Sequence, residues 1–488
     1  VKRYLPLLVL LGCSQENAGP PREAYIVPEP ATRRDEAAQA PSGRPAQEPT
    51  GLEQPAPTAP APGARLSLSN DDSMSLASAQ RVLWAVAEGE RVSANELRPH
   101  ELLNYFNFEA PPVEPGAVFG VSASAVRSGG EFSLALTVTS PARARDPLDL
   151  TVVVDRSGSM KEDGRIDYVK RGLVRMTERL QRGDRVNVIY FDDDALLVKQ
   201  GFEVGKDDLD DLCLVFEQLE PGGATDLDEA LALAYRTARD NPKRGHDGRV
   251  LLITDARITA GELSTDRVTE IGKAFDESGI RLAAIGVGRD FDDEVLQELT
   301  EKGHGAYVYL GSEKVVDRVF GSGFDALVDV VAEDVRFDLT LPPSLAMKRF
   351  YGEEMSTSRS EVDPVSFHAG NTQVFLQDLD ATSADARDDR IVLDISWRDP
   401  DTHKARSQRW QGRIADALGD RSNVDKARAL MAWTDLVRVG SHGCYAEKEV
   451  WASRLRQFGG DTETRYLDGL VDGWCPEPPS SQSIAEAG

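Results

Sequence analysis

The chain has 488 residues, and its 56 Lys plus Arg against 82 Asp plus Glu give a formal net charge of -26. So acidic a surface repels phosphate backbones and anionic lipid faces, which sets aside nucleic-acid binding and adsorption to a charged membrane. The length is too great for one simple core and corresponds to about three structural units, some of which can be tails.

The first residues, VKRYLPLLVLLGCSQ, set two basic side chains ahead of a short apolar run that closes on Leu10, Leu11, Gly12 and Cys13. This is the layout of an export signal. It resembles a bacterial lipobox, which implies cleavage before Cys13 and a lipid on that cysteine. The run Leu5–Leu11 contains Pro6 and is far too short to span a bilayer as a helix, so residues 1–13 are read as signal and lipobox. Ser14, which is not an aspartate, resembles outer-membrane sorting in enteric bacteria. The location implied is the cell envelope, with the chain lipid-anchored and the outer membrane favoured.

Residues 14–65 turn to Pro, Ala, Glu and Gln and end in QPAPTAPAPGA, the composition of a disordered linker. Its central 45 or so residues would reach about 40 Å as a coil and about 140 Å as polyproline. Residues 66–146 form a flanking region. Val82, Leu83, Val86, Leu97, Leu102, Leu103 and Phe106 recur at helical spacing and predict two short helices, and VFGVSASAVRSGGEFSLALTVTS alternates around a Gly-Gly turn as a hairpin does.

Residues 147–322 alternate apolar strands with amphipathic helices. The strands read LDLTVVVD, RVNVIYF, LLVKQGF, GRVLLITDA, RLAAIGVG and GAYVYLG, with helices such as RIDYVKRGLVRMTERL, TDLDEALALAYRTARD and DDEVLQELTEK between most of them. Strands this uniformly apolar are buried on both faces. The fold class is therefore α/β, a doubly wound and mostly parallel, Rossmann-like sheet. Residues 323–412 are read as a separate β-rich region with strands DVRFDLTLPP, RFYGEE, NTQVFLQDL and RIVLDISW, and residues 413–488 as a helical tail carrying VDKARALMAWTDLVRV and EKEVWASRLRQF. Cys444 and Cys475 can pair in an oxidising compartment, while Cys213 within DDLDDLCLVFEQLE reads as a small buried hydrophobe.

The strand LDLTVVVD ends on Asp155, and Ser157 and Ser159 follow in the loop that enters the next helix. Ligands of open parallel sheets bind beyond the carboxyl ends of the strands, so these three side chains can turn their oxygens toward one point. Carboxylate and hydroxyl oxygens are hard ligands, suited to Mg²⁺ and, with looser geometry, Ca²⁺ or Mn²⁺. Thr225, after the turn PGGA, and Asp255, ending VLLITD, can face the same crevice.

The motifs DRSGS, GGATD and LLITDA, in that order, resemble the metal-ion-dependent adhesion site of von Willebrand factor type A domains. The resemblance implies that Asp155, Ser157, Ser159, Thr225 and Asp255 are the metal set, with Ala256 standing where the family usually has glycine. Neutral hydroxyls leave a bound cation electrophilic, with room for an acid group from a protein partner. ELRPHELLNYFNFEAPP before this domain, DDEVLQELTEKGHGAYVYLGS at its end, and VAEDVRFDLTLPPSLAMKRFYG with DPVSFHAGNTQVFLQDL after it look like a family of exported bacterial lipoproteins. That family carries the type A domain between an N-terminal region and a C-terminal domain of unknown function.

Other signals weigh less. Arg182-Gly183-Asp184 matches an integrin-binding tripeptide but lies between a helix and the strand RVNVIYF, where Gly and Asp serve to turn the chain. Asp192, Asp193 and Asp194 lack the spacing of a calcium loop, and Asp207, Asp208, Asp210 and Asp211 suit a helix N-terminus. No zinc spacing, nucleophile elbow or P-loop is present. The expectation is a binding protein rather than an enzyme, which captures an Asp or Glu of a partner protein through the cation and touches the membrane only through its N-terminal lipid. The alternatives are a metal-assisted hydrolase or phosphatase, and a scaffold with a vestigial metal site.

Overall fold

The computed structural model describes residues 60–476 except 71–76, 94–96, 142–144, 241–242, 244, 256–264, 289–294, 297–298, 301–306, 311–315, 383–386, 401 and 442. The signal, Cys13, nearly all of the linker, Ala256 and the segment around DDEVLQELTEK lie wholly or mainly outside the described residues.

The chain runs through strand β1 (Arg65–Ser69), helices α1 (Ala77–Glu88) and α2 (Pro99–Tyr105), and the hairpin β2 (Gly120–Ser128) and β3 (Glu131–Thr139). Strands and helices then alternate. β4 (Leu148–Asp155), β5 (Arg185–Phe191), β6 (Ala195–Glu203), β7 (Asp247–Thr254), β8 (Arg281–Val287) and β9 (Tyr307–Leu310) make one sheet in the order β6-β5-β4-β7-β8-β9. Only the edge strand β6 runs antiparallel to its neighbour. The order reverses direction between β4 and β7, which opens a crevice at their carboxyl ends.

Every residue of β4 is buried because the sheet is covered on both faces. Val169, Leu173 and Met176 of α3 (Arg165–Thr177), with Leu212 and Phe216 of α4 (Leu209–Glu217), pack on Leu150, Val152 and Val154. On the other face, Leu227, Ala230 and Leu231 of α5 (Leu227–Asp240) and Phe275 of α6 (Thr265–Glu277) meet Val153, Ile189 and Leu252. Each such aliphatic contributes roughly 1.5–3 kcal/mol when fully buried. Asp208 caps α4 by accepting from the Asp210 amide at 3.2 Å. Gly172 allows Phe320 to seat against α3, since a Cβ there would fall 2.3 Å from the ring. Cys213 is buried in α4 and is disulfide-bonded, which corrects its reading as a plain buried hydrophobe, and no cysteine among the described residues is a free thiol.

After this region come β10 (Val330–Thr340), β11 (Leu345–Phe350), β12 (Glu354–Ser356), β13 (Val365–His368), β14 (Thr372–Ala381), β15 (Arg390–Arg398) and β16 (Ala405–Arg413). They do not form a sheet of their own. One sheet runs β12-β1-β10-β15-β16, with β13 also on β10, and the other runs β11-β14-β3-β2. Two sheets face each other over one core in which Leu66, Leu68, Phe132 and Leu134 from the N-terminal side meet Phe337, Phe375, Leu393 and Ile395 from the C-terminal side.

Helices α7 (Ser422–Val439), α8 (Tyr445–Phe458) and α9 (Thr462–Trp474) share a further core with α1, α2 and the outer face of β3 and β14. Buried Lys426 fastens the segment after α2 to the start of α9 there, donating to the Asn107 carbonyl at 2.6 Å and to Asp461 and Glu463 at 2.5 and 2.7 Å. Cys444 and Cys475, at the outer ends of α8 and α9, are joined by a disulfide with a Cα separation of 6.0 Å. No helix among the described residues is long and apolar enough to cross a membrane.

The expected separation of an N-terminal flank at 66–146 from a β-rich region at 323–412 is therefore corrected, while the described part of 413–488 is largely helical as expected. β3 pairs with β14 from Thr139 opposite Thr372 to Glu131 opposite Asp380, and β1 pairs with β10. The α/β domain is an insertion in a sandwich made by both flanks. Alternation in a strand shows which face is buried but not which strand lies beside it, so the sequence pattern left these pairings open. RFYGEE is likewise not one strand, because β11 ends at Phe350 and β12 begins at Glu354.

Candidate metal centre

The crevice is assembled from three chain segments. β4 and β7 lie side by side in parallel, with Val154 opposite Ile253, so Asp155 and Asp255 emerge next to each other at the carboxyl ends. The loop after β4 is bonded to the glycine turn before α5: the Gly222 amide donates to the Arg156 carbonyl at 2.6 Å, and the Gly158 amide donates to the Gly223 carbonyl at 3.0 Å. These contacts bring the segment of Thr225 against the serines. Gly223 has φ +80, and a Cβ there would meet Asp192 and Asp193 within 3 Å, so both the backbone conformation and the close approach require glycine. Asp226, beside Thr225, accepts from the Glu229 amide at 3.0 Å and starts α5.

Asp155 is fully buried. Its Oδ1 accepts from the Ser157 amide at 2.7 Å and its Oδ2 from the Thr254 hydroxyl at 2.5 Å. Ser157 and Ser159 hold their hydroxyls 3.0 Å apart. Thr225 and Asp255 are buried, at 1 % and 0 % exposure, while Ser159 keeps part of its surface in water. Burial pushes the Asp155 carboxyl up to about 6; the Thr254 and Ser157 hydrogen bonds oppose the rise and the nearby Asp255 charge adds to it. A carboxylate that is costly to ionise in place is one that a cation would stabilise.

The donor set fits a hard divalent cation. Two carboxylates and three hydroxyls are the proposed ligands, and among the described residues no three His, Cys, Asp or Glu gather elsewhere into a metal-binding group. The acid turn Asp192–Asp194 closes on itself, with the Asp192 amide donating to the Asp194 carbonyl at 3.1 Å and Asp192 paired to Arg156 at 2.8 Å. Asp184 of the Arg-Gly-Asp tripeptide is wholly buried and cannot be presented to a receptor.

Two residues outside the predicted metal set also belong here. Thr254 orients Asp155, and Arg165, the first residue of α3, forms a buried ion pair with Asp255 at 2.9 Å. An arginine at the head of an amphipathic helix carries no sequence signal that it turns inward.

An inserted, doubly wound sheet with hydroxyl and carboxylate side chains at its switch point defines a class, and the chain carries a von Willebrand factor type A domain. The sequence model of the family described as "von Willebrand factor type A domain" matches residues 148–309. The chain is similar to the uncharacterized protein YfbK of Escherichia coli (strain K12), 24% identical over 48% of this chain and 40% of YfbK. It is also similar to the uncharacterized protein sll0103 of Synechocystis, 27% identical over 41% of this chain and 46% of sll0103. The chain thus spans less than half the length of these relatives. Among solved structures, a von Willebrand factor type A protein from Catenulispora acidiphila aligns with 77% of this chain and 92% of its own, at 13% identity and a TM-score of 0.48.

Proposed function

We propose that this chain is a cell-envelope binding protein, tethered through a lipid on Cys13, whose type A domain captures a carboxylate of a partner protein at a divalent cation, Mg²⁺ foremost. What supports the reading is that the segments bearing Asp155, Ser157, Ser159, Thr225 and Asp255 end together at β4, the glycine turn and β7. When bound, the cation would supply Lewis acidity and a coordination position for the partner's oxygen. The protein's part is to hold its own oxygens in place beforehand. The zipped backbone of Arg156–Gly158 and Gly222–Gly223 does this for the hydroxyls, and Thr254 does it for Asp155.

Binding is favoured over hydrolysis because the described histidines stand elsewhere. His246 precedes β7 at the opposite end of the sheet, and His100, His368 and His403 belong to the flanking elements. No general base beside the proposed ligands is apparent among the described residues.

Mn²⁺ and Mg²⁺ titration of the full chain by calorimetry should show one site that Asp155→Ala removes while the circular dichroism spectrum is kept. Capture of envelope proteins on the immobilised chain should then require the cation and be lost in EDTA and in Asp155→Ala. Capture that survives both treatments would sink the metal-bridged reading.

A further inference from the structure

The guanidinium of Arg165 is enclosed in the crevice, its side chain 2 % exposed. Nη1 lies 2.9 Å from Asp255 Oδ2 and 3.4 Å from the Ser159 carbonyl, and Nη2 lies 3.5 Å from Glu162, whose own side chain is 55 % exposed. Space for this charge is built into the strand end opposite. Gly288, with φ +87, closes β8, and a Cβ on it would fall 2.2 Å from Arg165 Nε. That Nε is buried and has no hydrogen-bond partner among the described residues. A guanidinium kept so dry for its packing alone would be costly, since it has given up its hydration. Its principal counter-charge is Asp255, one of the two acids of the metal set.

Among the described residues, the buried carboxylates of Asp155 and Asp255 bring two negative charges and buried Arg165 returns one positive, so these buried groups together offer a net single negative charge to a doubly charged ion. On the reading that the crevice holds a divalent cation, we propose that Arg165 is a positioning residue that ties down Asp255 and keeps the cation under-neutralised, so that tight cation binding and capture of an outside carboxylate require each other. A partner's Asp or Glu supplies the missing charge. Cation and partner then raise each other's affinity by the same factor, as linkage demands. Without Arg165 the crevice would hold its ion firmly with no partner present.

The test is Mn²⁺ calorimetry on the full chain as wild type, Arg165→Gln, Asp255→Asn, the double variant and Asp155→Ala, each checked for folding by circular dichroism. A unit charge in or out of a partly buried site acts on a divalent ion strongly enough that Arg165→Gln should tighten Mn²⁺ binding at least about tenfold and Asp255→Asn should weaken it at least about tenfold. The double variant restores the wild-type charge sum and should bind within about threefold of wild type. That rescue is an effect a merely structural role for Arg165 would not produce.

If Arg165→Gln fails to fold because Asp255 has lost its guanidinium, the double variant against Asp255→Asn carries the test alone, since both members of the ion pair are neutral in it. A double variant that binds no better than Asp255→Asn overturns the proposal, as does a folded Arg165→Gln with unchanged affinity. In both of those cases Mn²⁺ binding that still disappears in Asp155→Ala leaves the metal reading standing. Absence of Mn²⁺ binding in the wild type, Arg165→Gln and the double variant alike would sink both.

Discussion

Removing Asp184 should unfold the α/β domain far more readily than removing any exposed acid. Its Oδ1 accepts from Arg145 Nη1 at 2.8 Å and from the Leu148 amide at 2.9 Å, and its Oδ2 accepts from Arg145 Nη2 at 2.7 Å and the Gln181 amide at 2.7 Å. Both side chains are buried, at 2 % and 0 % exposure. Arg145 also lies 3.9 Å from Asp325, so this cluster ties the point where the chain passes from the sandwich into the inserted domain to the point where it returns. Breaking a buried ion pair from one side strands the other charge, at about 3–5 kcal/mol. Asp184→Ala also strips two amides of a charged acceptor, worth about 1.5–3 kcal/mol for such a bond, which puts it at the upper end, about 5 kcal/mol. Arg145→Met leaves the carboxylate its two amides and belongs at the lower end, about 3 kcal/mol. Urea denaturation followed by far-UV circular dichroism gives both values from the midpoint and slope. A loss below about 1 kcal/mol for Asp184→Ala, or a larger loss for Arg145→Met, would refute the assignment of this cluster as the clamp of the domain.

Two further outcomes follow from the flanking elements. The Cys444–Cys475 bond closes a 31-residue separation, and chain-entropy arithmetic for a loop of that size gives about 4 kcal/mol; Cys444→Ser with Cys475→Ser should lower the urea midpoint accordingly, and an unchanged midpoint would show that packing of α8 and α9 alone suffices. His100 on α2 is half-buried, and burial followed by repulsion from Arg98 lowers its pKa from 6.5 to about 4. The unfolded chain therefore takes up a proton that the folded chain refuses between those values, so stability falls as pH drops below about 6.5, and the difference reaches at most about 2 kcal/mol at pH 5. His100→Gln should remove that part of the acid destabilisation; wild type and variant falling in parallel from pH 8 to 5 would show that other groups govern it.

The α/β domain was readable because its pattern is local. An aliphatic run such as LDLTVVVD buried on both faces, followed by an amphipathic helix, specifies a covered parallel strand without reference to distant residues, and β4 and β5 have the bounds their apolar runs predict. The proposed metal residues were readable for a related reason. A strand end fixes where its next side chain emerges, and β4 and β7 being neighbours does the rest. The structure brings those segments together, and the chemistry drawn from them is the proposal to be tested.

The sequence by itself determined the acidic character, the alternation that makes the inserted domain, and the oxygen-bearing side chains at its strand ends, because each depends on residues close together in the chain. Only the tertiary structure decided that both flanks build one sandwich, since strand pairing joins residues such as Thr139 and Thr372 that no local period connects. The tertiary structure also decided that Arg165 turns inward upon Asp255, because a buried charge is kept by the partner it meets across 90 residues, and helical periodicity carries no record of that partner.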